Sequence, residues 1–430
     1  MTVEYYLDNI PVIGNIVIMK RLLEAHIFDP EINEGKITIL TGPRQVGKTT
    51  FAQNWLKSRG SSETYFNWDN PTVIMDYKRN PLYFHNVVDE RYSKSPVPIV
   101  FDEIHKHIEW RNLLKGFFDT YHDRIKLLVT GSAHLEFARK TGDSLLGRYF
   151  AYQMFPLGLP EVIDDFSNVI NDDLPFTKGN VFSSLAREVK LKEAREGLEL
   201  LLKFGGFPEP FFKGSERFHR RWQTEYKSIL TKEDVRDLSR ISDIKGLETL
   251  VEILPGKVGS SLSIPSISGD IGRKYDTIRN WLEVLEGLYM VFTIRPWYRN
   301  ISRAIKKEKK LYFFDWSLLS DTGSRFENLI AVTLLRMAAR FNESGLGSYE
   351  ICYLRDREKR AVDFVLIKNN EPIALIEAKK SDSKMNRAGK YFNNLLKVPI
   401  YQVVLNAKKV EVFPDNNYVI PALHFMMLAG

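Results

Sequence analysis

The sequence has very little cysteine and no long apolar run. Cys352 is the single cysteine among 430 residues, which excludes an intramolecular disulfide and a zinc site built from several thiolates. No apolar stretch reaches the roughly 20 residues that cross a bilayer. The first ten residues, MTVEYYLDNI, lack the basic and then apolar order of a secretion signal. We therefore expect a cytoplasmic protein without a membrane partner.

Charge and length raise two further expectations. The net charge of +7 suggests affinity for polyanions, but it does not locate a surface for them. Mild basicity is also common in proteins that bind no nucleic acid, so both alternatives stay open. A chain of 430 residues is longer than a single hydrophobic core usually allows, which predicts several domains.

A glycine-framed loop follows a short β-rich run near the N-terminus. The stretch KITILTGPRQVGKTT matches the spacing G-x-x-x-x-G-K-[ST], with a strand predicted before the loop and a helix after it. The glycines let successive backbone N–H groups and the helix N-terminus face an anion. Lys48 would reach the β- and γ-phosphates of ATP, and the Thr49 hydroxyl would ligate the bridging Mg²⁺. The predicted nucleotide-binding residues of the loop are Gly42, Pro43, Arg44, Gln45, Val46, Gly47, Lys48, Thr49 and Thr50.

A second apolar strand ends in two adjacent carboxylates. The stretch VPIVFDEIH, from Val97 to His105, predicts a buried strand that delivers Asp102 and Glu103 beside the glycine loop. Asp102 would bind Mg²⁺ through its hydration shell, and Glu103 would polarise the attacking water. The alternative is a strand followed by a solvated acidic turn. The loop upstream favours the functional interpretation, because phosphoryl transfer needs both a metal and a group that orients water.

Further strands and helices alternate along this part of the chain. The stretch LLVTGS predicts a strand in which Thr130 or Ser132 senses the γ-phosphate, or in which a hydroxyl caps the next helix. Helices are predicted over Asn15 to His26 and Trp110 to Tyr121. Alternating strands and helices indicate βα units and a parallel sheet.

Four segments together, TGPRQVGKTT, FDEIH, VTGS and SLLGRYF, resemble a group of archaeal and bacterial AAA-type ATPases of the P-loop class. The resemblance implies an α/β fold with a P-loop NTPase parallel sheet over 1–160, a helical lid over 161–235, a winged-helix domain over 236–300 and a small restriction-endonuclease-like α/β domain over 301–430. It also implies that Arg148 neutralises charge on the transferring phosphate, within one chain or across a homo-oligomer. The alternative for Arg148 is an ion pair with a surface carboxylate.

A helix-turn-helix pattern and a basic run follow in the second half of the chain. Ile264 to Met290 predicts a short helix, a turn at Gly272 and a helix from Asp276. Its polar edge would either read DNA or serve only packing between domains. The run RAIKKEKK, Arg303 to Lys310, is a solvated loop or a set of phosphate contacts. The residues predicted at the edge of the helix-turn-helix are Arg273, Lys274, Arg279 and Asn280.

The last segment contains a second set of carboxylates with a lysine. Glu377 and Lys379 are two residues apart on a predicted strand and therefore share a face, and a hairpin partner can bring Asp363 to it. With Glu327 in an upstream helix, the set resembles the E…D…E-x-K core of restriction-type nucleases. That resemblance implies that Asp363 and Glu377 bind Mg²⁺, Lys379 orients water and Glu327 assists. A buried salt bridge between Lys379 and either carboxylate is the alternative.

Together these patterns predict a protein that binds and hydrolyses ATP with Mg²⁺ and acts on nucleic acid, with DNA favoured over RNA. Action on nucleic acid would use the winged helix and a Mg²⁺-dependent nuclease-like domain. The alternative is an ATP-gated regulatory or scaffold protein whose nuclease-like domain does not cleave.

Overall fold

The computed structural model describes residues 12–13, 16–17, 19–131, 145–167, 169, 191–235, 241–298, 308–381 and 384–430. The chain divides into two compact units, the first over Glu4–Phe155 and the second over Pro156–Gly430. The three segments predicted as separate C-terminal domains, 161–235, 236–300 and 301–430, lie in the second unit. Within the described ranges, no helix combines the length and the apolar character needed to cross a bilayer.

The first unit is built on a five-stranded parallel sheet. Its strands are β3 (Ile37–Thr41), β4 (Tyr65–Asn67), β5 (Val97–Asp102), β6 (Ile125–Thr130) and β7 (Tyr149–Gln153), preceded by a two-residue antiparallel pair, β1 (Val12–Ile13) and β2 (Ile16–Val17). The order across the sheet is β4-β5-β6-β3-β7, and every neighbouring pair is parallel. The predicted parallel α/β fold class is therefore confirmed.

Helices of the first unit cover this sheet with apolar side chains. They are α1 (Glu24–Ile27), α2 (Pro30–Asn33), α3 (Lys48–Lys57), α4 (Pro71–Arg79), α5 (Tyr83–Arg91) and α6 (Trp110–Tyr121). On α6, Trp110, Leu114 and Phe117 recur at helical spacing and are buried in the core of the sheet. The continuous helix predicted over Asn15 to His26 is wrong, because Ile16–Val17 is extended and, among the described residues of this range, helix begins at Glu24.

The second unit contains a six-stranded mixed sheet. Its strands are β10 (Tyr349–Arg355), β11 (Ala361–Lys368), β12 (Glu371–Lys379), β13 (Ile400–Val404), β14 (Glu411–Phe413) and β15 (Asn417–Pro421), in the order β10-β11-β12-β13-β15-β14. β11 is antiparallel to both of its neighbours, β10 and β12, whereas β12, β13 and β15 run parallel to one another. The long helix α14 (Thr322–Glu343) precedes β10 in the chain, and α15 (Arg387–Leu396) connects β12 to β13. This further α/β element lies where the sequence predicts a small α/β domain.

Helices before the mixed sheet belong to the same compact unit. They are α7 (Leu159–Val162), α8 (Leu191–Phe204), α9 (Pro208–Lys213), α10 (Glu216–Ile229), α11 (Ile244–Ile253), α12 (Ile264–Ile271) and α13 (Tyr275–Gly287), and α16 (Ala422–Ala429) ends the chain. The segment predicted as a lid is held by C-terminal residues, since Trp316 Nε1 donates to the Leu201 carbonyl at 2.7 Å and Arg325 Nη1 donates to the Leu202 carbonyl at 2.9 Å.

The predicted helix-turn-helix layout is present in α12 and α13. Gly272 ends α12 in the left-handed region, with φ of 70°, which allows the sharp turn into α13. The apolar face of α13 is buried, including Ile278, Trp281 and Leu285. An antiparallel pair of strands follows, β8 (Val291–Ile294) and β9 (Lys310–Phe313).

Candidate functional site

The glycine loop of the first unit lies between β3 and α3. Gly42 has φ of 138°, and a Cβ atom at this position would lie 2.4 Å from the Met154 carbonyl oxygen, so only glycine fits. Gly47, with φ of 105°, caps the N-terminus of α3. This ten-residue helix begins at Lys48, so its free N–H groups lie at the end of the loop. The loop therefore has the backbone form of an anion site.

Two basic side chains contact the carbonyl groups of the loop. Lys48 is 6% exposed, and its Nζ atom donates to the Gly42 carbonyl at 2.9 Å and to the Pro43 carbonyl at 2.7 Å. Arg21, also buried, donates to the Val46 carbonyl at 3.1 Å and to the Phe155 carbonyl at 2.5 Å. Lys48 was predicted, whereas Arg21 lies 21 residues before Gly42, the first residue of the motif, and no sequence pattern indicates its role.

The Asp102 carboxylate, at the end of β5, accepts hydrogen bonds from three hydroxyl groups. Thr49 Oγ1 donates to Oδ2 at 2.9 Å, Tyr65 donates to the same oxygen at 2.5 Å, and Thr130 donates to Oδ1. Thr49 and Asp102 are the predicted Mg²⁺ ligands, and the structure brings them into contact although β6 separates β3 from β5 in the sheet. A hydroxyl and a carboxylate oxygen at this spacing fit the preference of Mg²⁺ for oxygen ligands.

Tyr65 and Thr130 show what the sequence did and did not reveal around Asp102. Burial, reinforced by Asp102, raises the pKa of the Tyr65 hydroxyl. Tyr65 was not predicted as a partner of Asp102, because the sequence does not show that β4 pairs with β5. Thr130 was predicted either to sense phosphate or to cap a helix, and in the structure its hydroxyl donates to Asp102. Ser132, the other predicted sensor, lies outside the described residues.

Glu103 follows Asp102 in a left-handed backbone conformation, with φ of 55°. Burial raises the pKa of its carboxyl group, the nearby Lys48 opposes this shift, and the charge of Asp102 adds to it. The side chain keeps 23% of its surface exposed, and its Oε2 atom lies 3.5 Å from His105 Nδ1. A carboxylate with a raised pKa, beside the loop and open to water, has the properties of a general base.

Arg148 lies beside the first residue of β3, at the opposite end of that strand from the glycine loop. Its carbonyl accepts the N–H of Ile37, the first residue of β3, whereas the loop follows the last residue of that strand. Five residues of strand span about 16 Å. The guanidinium makes two hydrogen bonds to Asp119, at 2.6 and 3.1 Å. The predicted surface ion pair is therefore present, and in this arrangement the Arg148 guanidinium does not reach the glycine loop of its own chain.

The second unit brings together the carboxylates and the lysine of the predicted nuclease-like set. Phe364 pairs with Ile376 between β11 and β12, so Asp363 and Glu377 occupy the next opposed positions. Lys379 Nζ lies 2.7 Å from Glu377 Oε2 and 3.7 Å from Asp363 Oδ2. Glu377 and Lys379 therefore share one face of β12, as the E-x-K spacing predicts. The salt bridges between Lys379 and these carboxylates, which are the alternative to a metal site, are also present.

A second lysine enters the same cluster. Lys310 Nζ lies 3.7 Å from Glu327 Oε1 and 3.7 Å from Asp363 Oδ1, and Tyr312 donates to Glu327 Oε1 at 2.8 Å. Lys310 is 7% exposed, so the prediction that it contacts phosphate from a solvated basic run is wrong. Its position on β9 directs it into the protein, where the carboxylates compensate its charge. Residues 303–307 of that run lie outside the described ranges.

Burial is the largest cause of the pKa shifts of the Glu377 and Glu327 carboxyl groups. Burial raises the pKa of Glu377 to about 7, Asp363 adds to the shift, and Lys379 opposes it. Burial also raises the pKa of Glu327, with Asp363 adding and Lys310 opposing. In the part of the chain that the structure describes, no three His, Cys, Asp or Glu side chains are grouped to hold a metal ion. Both ammonium groups contact the predicted Mg²⁺ ligands, Lys310 at Asp363 and Lys379 at Asp363 and Glu377.

The polar edge of the helix-turn-helix carries charges of both signs. Arg273 donates to Asp243 at 2.6 Å, and Arg279 lies 3.4 Å from Asp276. Lys274 and Asn280 are exposed. The acidic partners reduce the positive potential that this edge would offer to a polyanion.

Three parts of the chain match known protein families. Residues 34–163 match the family described as AAA domain. Residues 195–328 and 322–425 each match a domain of unknown function, DUF8612 and DUF4143 respectively. The first match contains the glycine loop, Asp102 and Glu103.

Most of the first unit is therefore similar to an AAA domain. This agrees with the parallel sheet and with the contact between Thr49 and Asp102, and it supports binding and hydrolysis of ATP by this domain. The nuclease-like and winged-helix assignments of the second unit receive no such support, because both families matched there are without a described function.

Related sequences align with this chain over most or part of their length. An uncharacterized protein of Methanocaldococcus jannaschii is 24% identical over 92% of this chain and 85% of its own length. An uncharacterized protein of Mycobacterium tuberculosis is 22% identical over 67% of this chain and 56% of its own length. The identities show distant similarity and assign no function.

Solved structures align only weakly. Caenorhabditis elegans PCH-2 aligns with a TM-score of 0.28 and 16% identity, covering 46% of this chain and 58% of its own. The replication initiator DnaA, bound to AMPPCP and single-stranded DNA, aligns with a TM-score of 0.27 and 16% identity, covering 66% of this chain and 91% of its own. No functional conclusion follows from scores this low.

Proposed function

We propose that the protein hydrolyses ATP in its AAA domain and uses this cycle to act on nucleic acid through its second unit. The observation that carries the ATPase part is the contact of Thr49 with Asp102, with Glu103 as the next residue beside the loop. These groups come from separate elements, the start of α3 and the end of β5. Phosphoryl transfer requires that metal ligands and a water-orienting group meet at the phosphates.

Each side chain of the site has a defined part in this proposal. Mg²⁺, when bound with ATP by Thr49 and Asp102, neutralises charge on the phosphates. Lys48 exchanges its carbonyl contacts for phosphate oxygens, which are stronger acceptors. Glu103 accepts a hydrogen bond from the attacking water and takes its proton. Arg148, held away from its own loop, would act only on a neighbouring copy in a homo-oligomer.

Action on nucleic acid rests on charge and on the helix-turn-helix layout. The chain carries a net charge of +7, and α12 and α13 have the arrangement from which a reading helix is presented to DNA. Because the charges along α13 are largely compensated, the stronger source of phosphate contacts is the basic run that precedes β9. Lys309, the exposed neighbour of the buried Lys310, belongs to that run.

Replacing the four remaining cations of this run with alanine is expected to weaken binding to duplex DNA and flatten its salt dependence. Each lost phosphate contact lowers the slope of log K against log salt by about 0.9, so four contacts correspond to a change of about 3.6. Fluorescence anisotropy at several salt concentrations measures the slope. A control variant loses the same charge at Lys57, Lys78, Arg79 and Lys408, and an unchanged slope in the test variant contradicts the proposal. The four tested residues are Arg303, Lys306, Lys307 and Lys309.

A second candidate activity is cleavage of nucleic acid by the C-terminal cluster. The observation that favours it is the convergence of Asp363, Glu377 and Lys379 on one face of two adjacent strands. The competing interpretation is the ATP-gated regulatory or scaffold protein, in which these residues form a structural ion-pair cluster.

Asp363→Asn separates the two interpretations. If the cluster cleaves, this variant loses divalent-ion-dependent cutting of single-stranded, duplex and branched DNA by about 10²-fold or more, and its ATP hydrolysis is unchanged. The matched control is Glu371→Gln, an exposed carboxylate on the same strand as Glu377. Absence of cutting by the wild type and by Lys310→Met with Mg²⁺ or Mn²⁺, with or without ATP, would favour the non-cleaving alternative.

A further inference from the structure

The C-terminal cluster contains a buried cation that the nuclease resemblance does not include. Lys310 is carried by β9, outside the mixed sheet, and its Nζ atom lies at 3.7 Å from both Glu327 Oε1 and Asp363 Oδ1. Its side chain is 9% exposed and also lies over the Tyr353 ring, 5.5 Å from the centroid. A lysine this deeply buried is retained only with charged or polar partners.

Each oxygen of the Asp363 carboxylate lies near a different lysine. Lys310 is nearest to Oδ1, and Lys379 lies at the same distance from Oδ2. A divalent ion bound by Asp363 would have to lie about 2.0–2.6 Å from one of these oxygens. It would then lie within a few ångströms of an ammonium group in a part-buried site, where repulsion between like charges is strong. Ammonium and metal therefore compete for the same carboxylates.

We propose that Lys310 is a resident counter-cation that keeps divalent metal ions out of the cluster formed by Glu327, Asp363 and Glu377. This inference rests on the proposed nuclease-like site and adds its regulation. The cluster is metal-free while Lys310 is in place, and it binds a divalent ion when Lys310 is withdrawn.

Lys310 acts in this proposal as a gate for divalent ions, and its neighbours in the fold flank the helix-turn-helix. Lys310 pairs with Ile294 of β8, which follows α13, and the carbonyl of Lys309 accepts the N–H of Leu262 at 2.7 Å, just before α12. Gly259, in the same connection, leaves room for Glu327, because a Cβ atom there would lie 2.9 Å from its Oε1. A ligand that shifted Leu262 or β8 would therefore move Lys310 relative to Asp363, which would couple the helix-turn-helix to the cluster.

Lys310→Met tests the proposal in the full-length protein, because methionine keeps the length of the side chain and removes its charge. We expect Mn²⁺ affinity, measured by isothermal titration calorimetry and by electron paramagnetic resonance of free Mn²⁺, to rise on the order of tenfold or more over the wild type. Adding Asp363→Asn to the variant should abolish the gain. Lys390→Met, the same change at an exposed position of α15, should bind Mn²⁺ as the wild type does.

The outcomes distinguish this inference from the activity on which it rests. Equal, tight binding by wild type and Lys310→Met that requires Asp363 would overturn the gate and leave the metal-dependent site intact. No binding by either protein would overturn the gate together with metal-dependent cleavage. If Lys310→Met fails to fold even with Mn²⁺, Lys310→Gln removes the charge and keeps a polar group beside Glu327. A folded Lys310→Gln protein without Mn²⁺ binding above the wild-type level would also overturn the proposal.

Discussion

Replacing Glu103 with glutamine is expected to slow ATP hydrolysis by about 10²- to 10⁴-fold, the usual worth of a general base, while ATP binding persists. Glutamine preserves the size of the side chain but cannot take the proton of the attacking water. The hydrogen bonds from Lys48 to the carbonyls of Gly42 and Pro43, and from Thr49 to Asp102, do not use the Glu103 carboxylate. Steady-state release of phosphate, together with the dissociation constant of a fluorescent ATP analogue, measures both quantities.

The matched control for this change is Glu109→Gln, an exposed carboxylate six residues further along the chain. Its turnover should equal that of the wild type. The pH dependence adds a second check, because burial raises the pKa of Glu103 above its ordinary value of 4.5. The active form is the carboxylate, so wild-type turnover should fall as the pH drops through that raised pKa. Normal turnover by Glu103→Gln would remove Glu103 from the mechanism.

Lys48→Ala is expected to lose most of the affinity for ATP. A hydrogen bond to a charged group in a buried site contributes about 2 kcal/mol, which corresponds to a roughly thirtyfold rise in Kd. Truncation also removes the positive charge that faces the phosphates. Titration with a fluorescent ATP analogue measures the change.

Lys57→Ala, at the exposed end of the same helix, provides the control for charge and helix stability. It should bind ATP with wild-type affinity. Because Lys48 bonds to the carbonyls of Gly42 and Pro43, thermal unfolding of each variant shows whether loss of affinity accompanies loss of the fold. A folded Lys48→Ala protein that binds ATP as tightly as the wild type would contradict the role of the loop.

The sequence allowed the sheet and the loop of the first unit to be predicted because their signals are local. A β-branched run that ends in a glycine loop, and a second run that ends in Asp102, define strands whose carboxyl ends meet at one edge of a parallel sheet. The contact between Thr49 and Asp102 follows from that arrangement. The partners that complete the site, Arg21 and Tyr65, come from elements whose placement depends on the order of strands.

The C-terminal cluster shows the same division between local and tertiary signals. Period-two geometry places Glu377 and Lys379 on one face, and hairpin pairing adds Asp363. Lys310 was assigned to a solvated basic run, since its neighbours in sequence are charged and nothing local distinguishes it from them. Its burial depends on pairing between β8 and β9, which connects positions separated by the whole basic run.

Arg148 illustrates a limit of a different kind. The motif SLLGRYF contains the arginine, but a motif does not specify at which end of the strands the arginine lies. The backbone bond from Ile37 to the Arg148 carbonyl fixes that end, and the ion pair with Asp119 follows from it. Its function, if exerted on ATP, therefore depends on a second copy of the chain.

The identity of the nucleotide retained after a single round of turnover tests the central claim most directly. Wild-type and Glu103→Gln proteins are mixed with ATP and Mg²⁺, separated rapidly from free nucleotide, and the bound nucleotide is resolved by ion-exchange chromatography. The account predicts ADP on the wild type and intact ATP on Glu103→Gln. ADP in equal amount on both proteins, or no nucleotide on either, would contradict an ATPase site built on Lys48, Asp102 and Glu103.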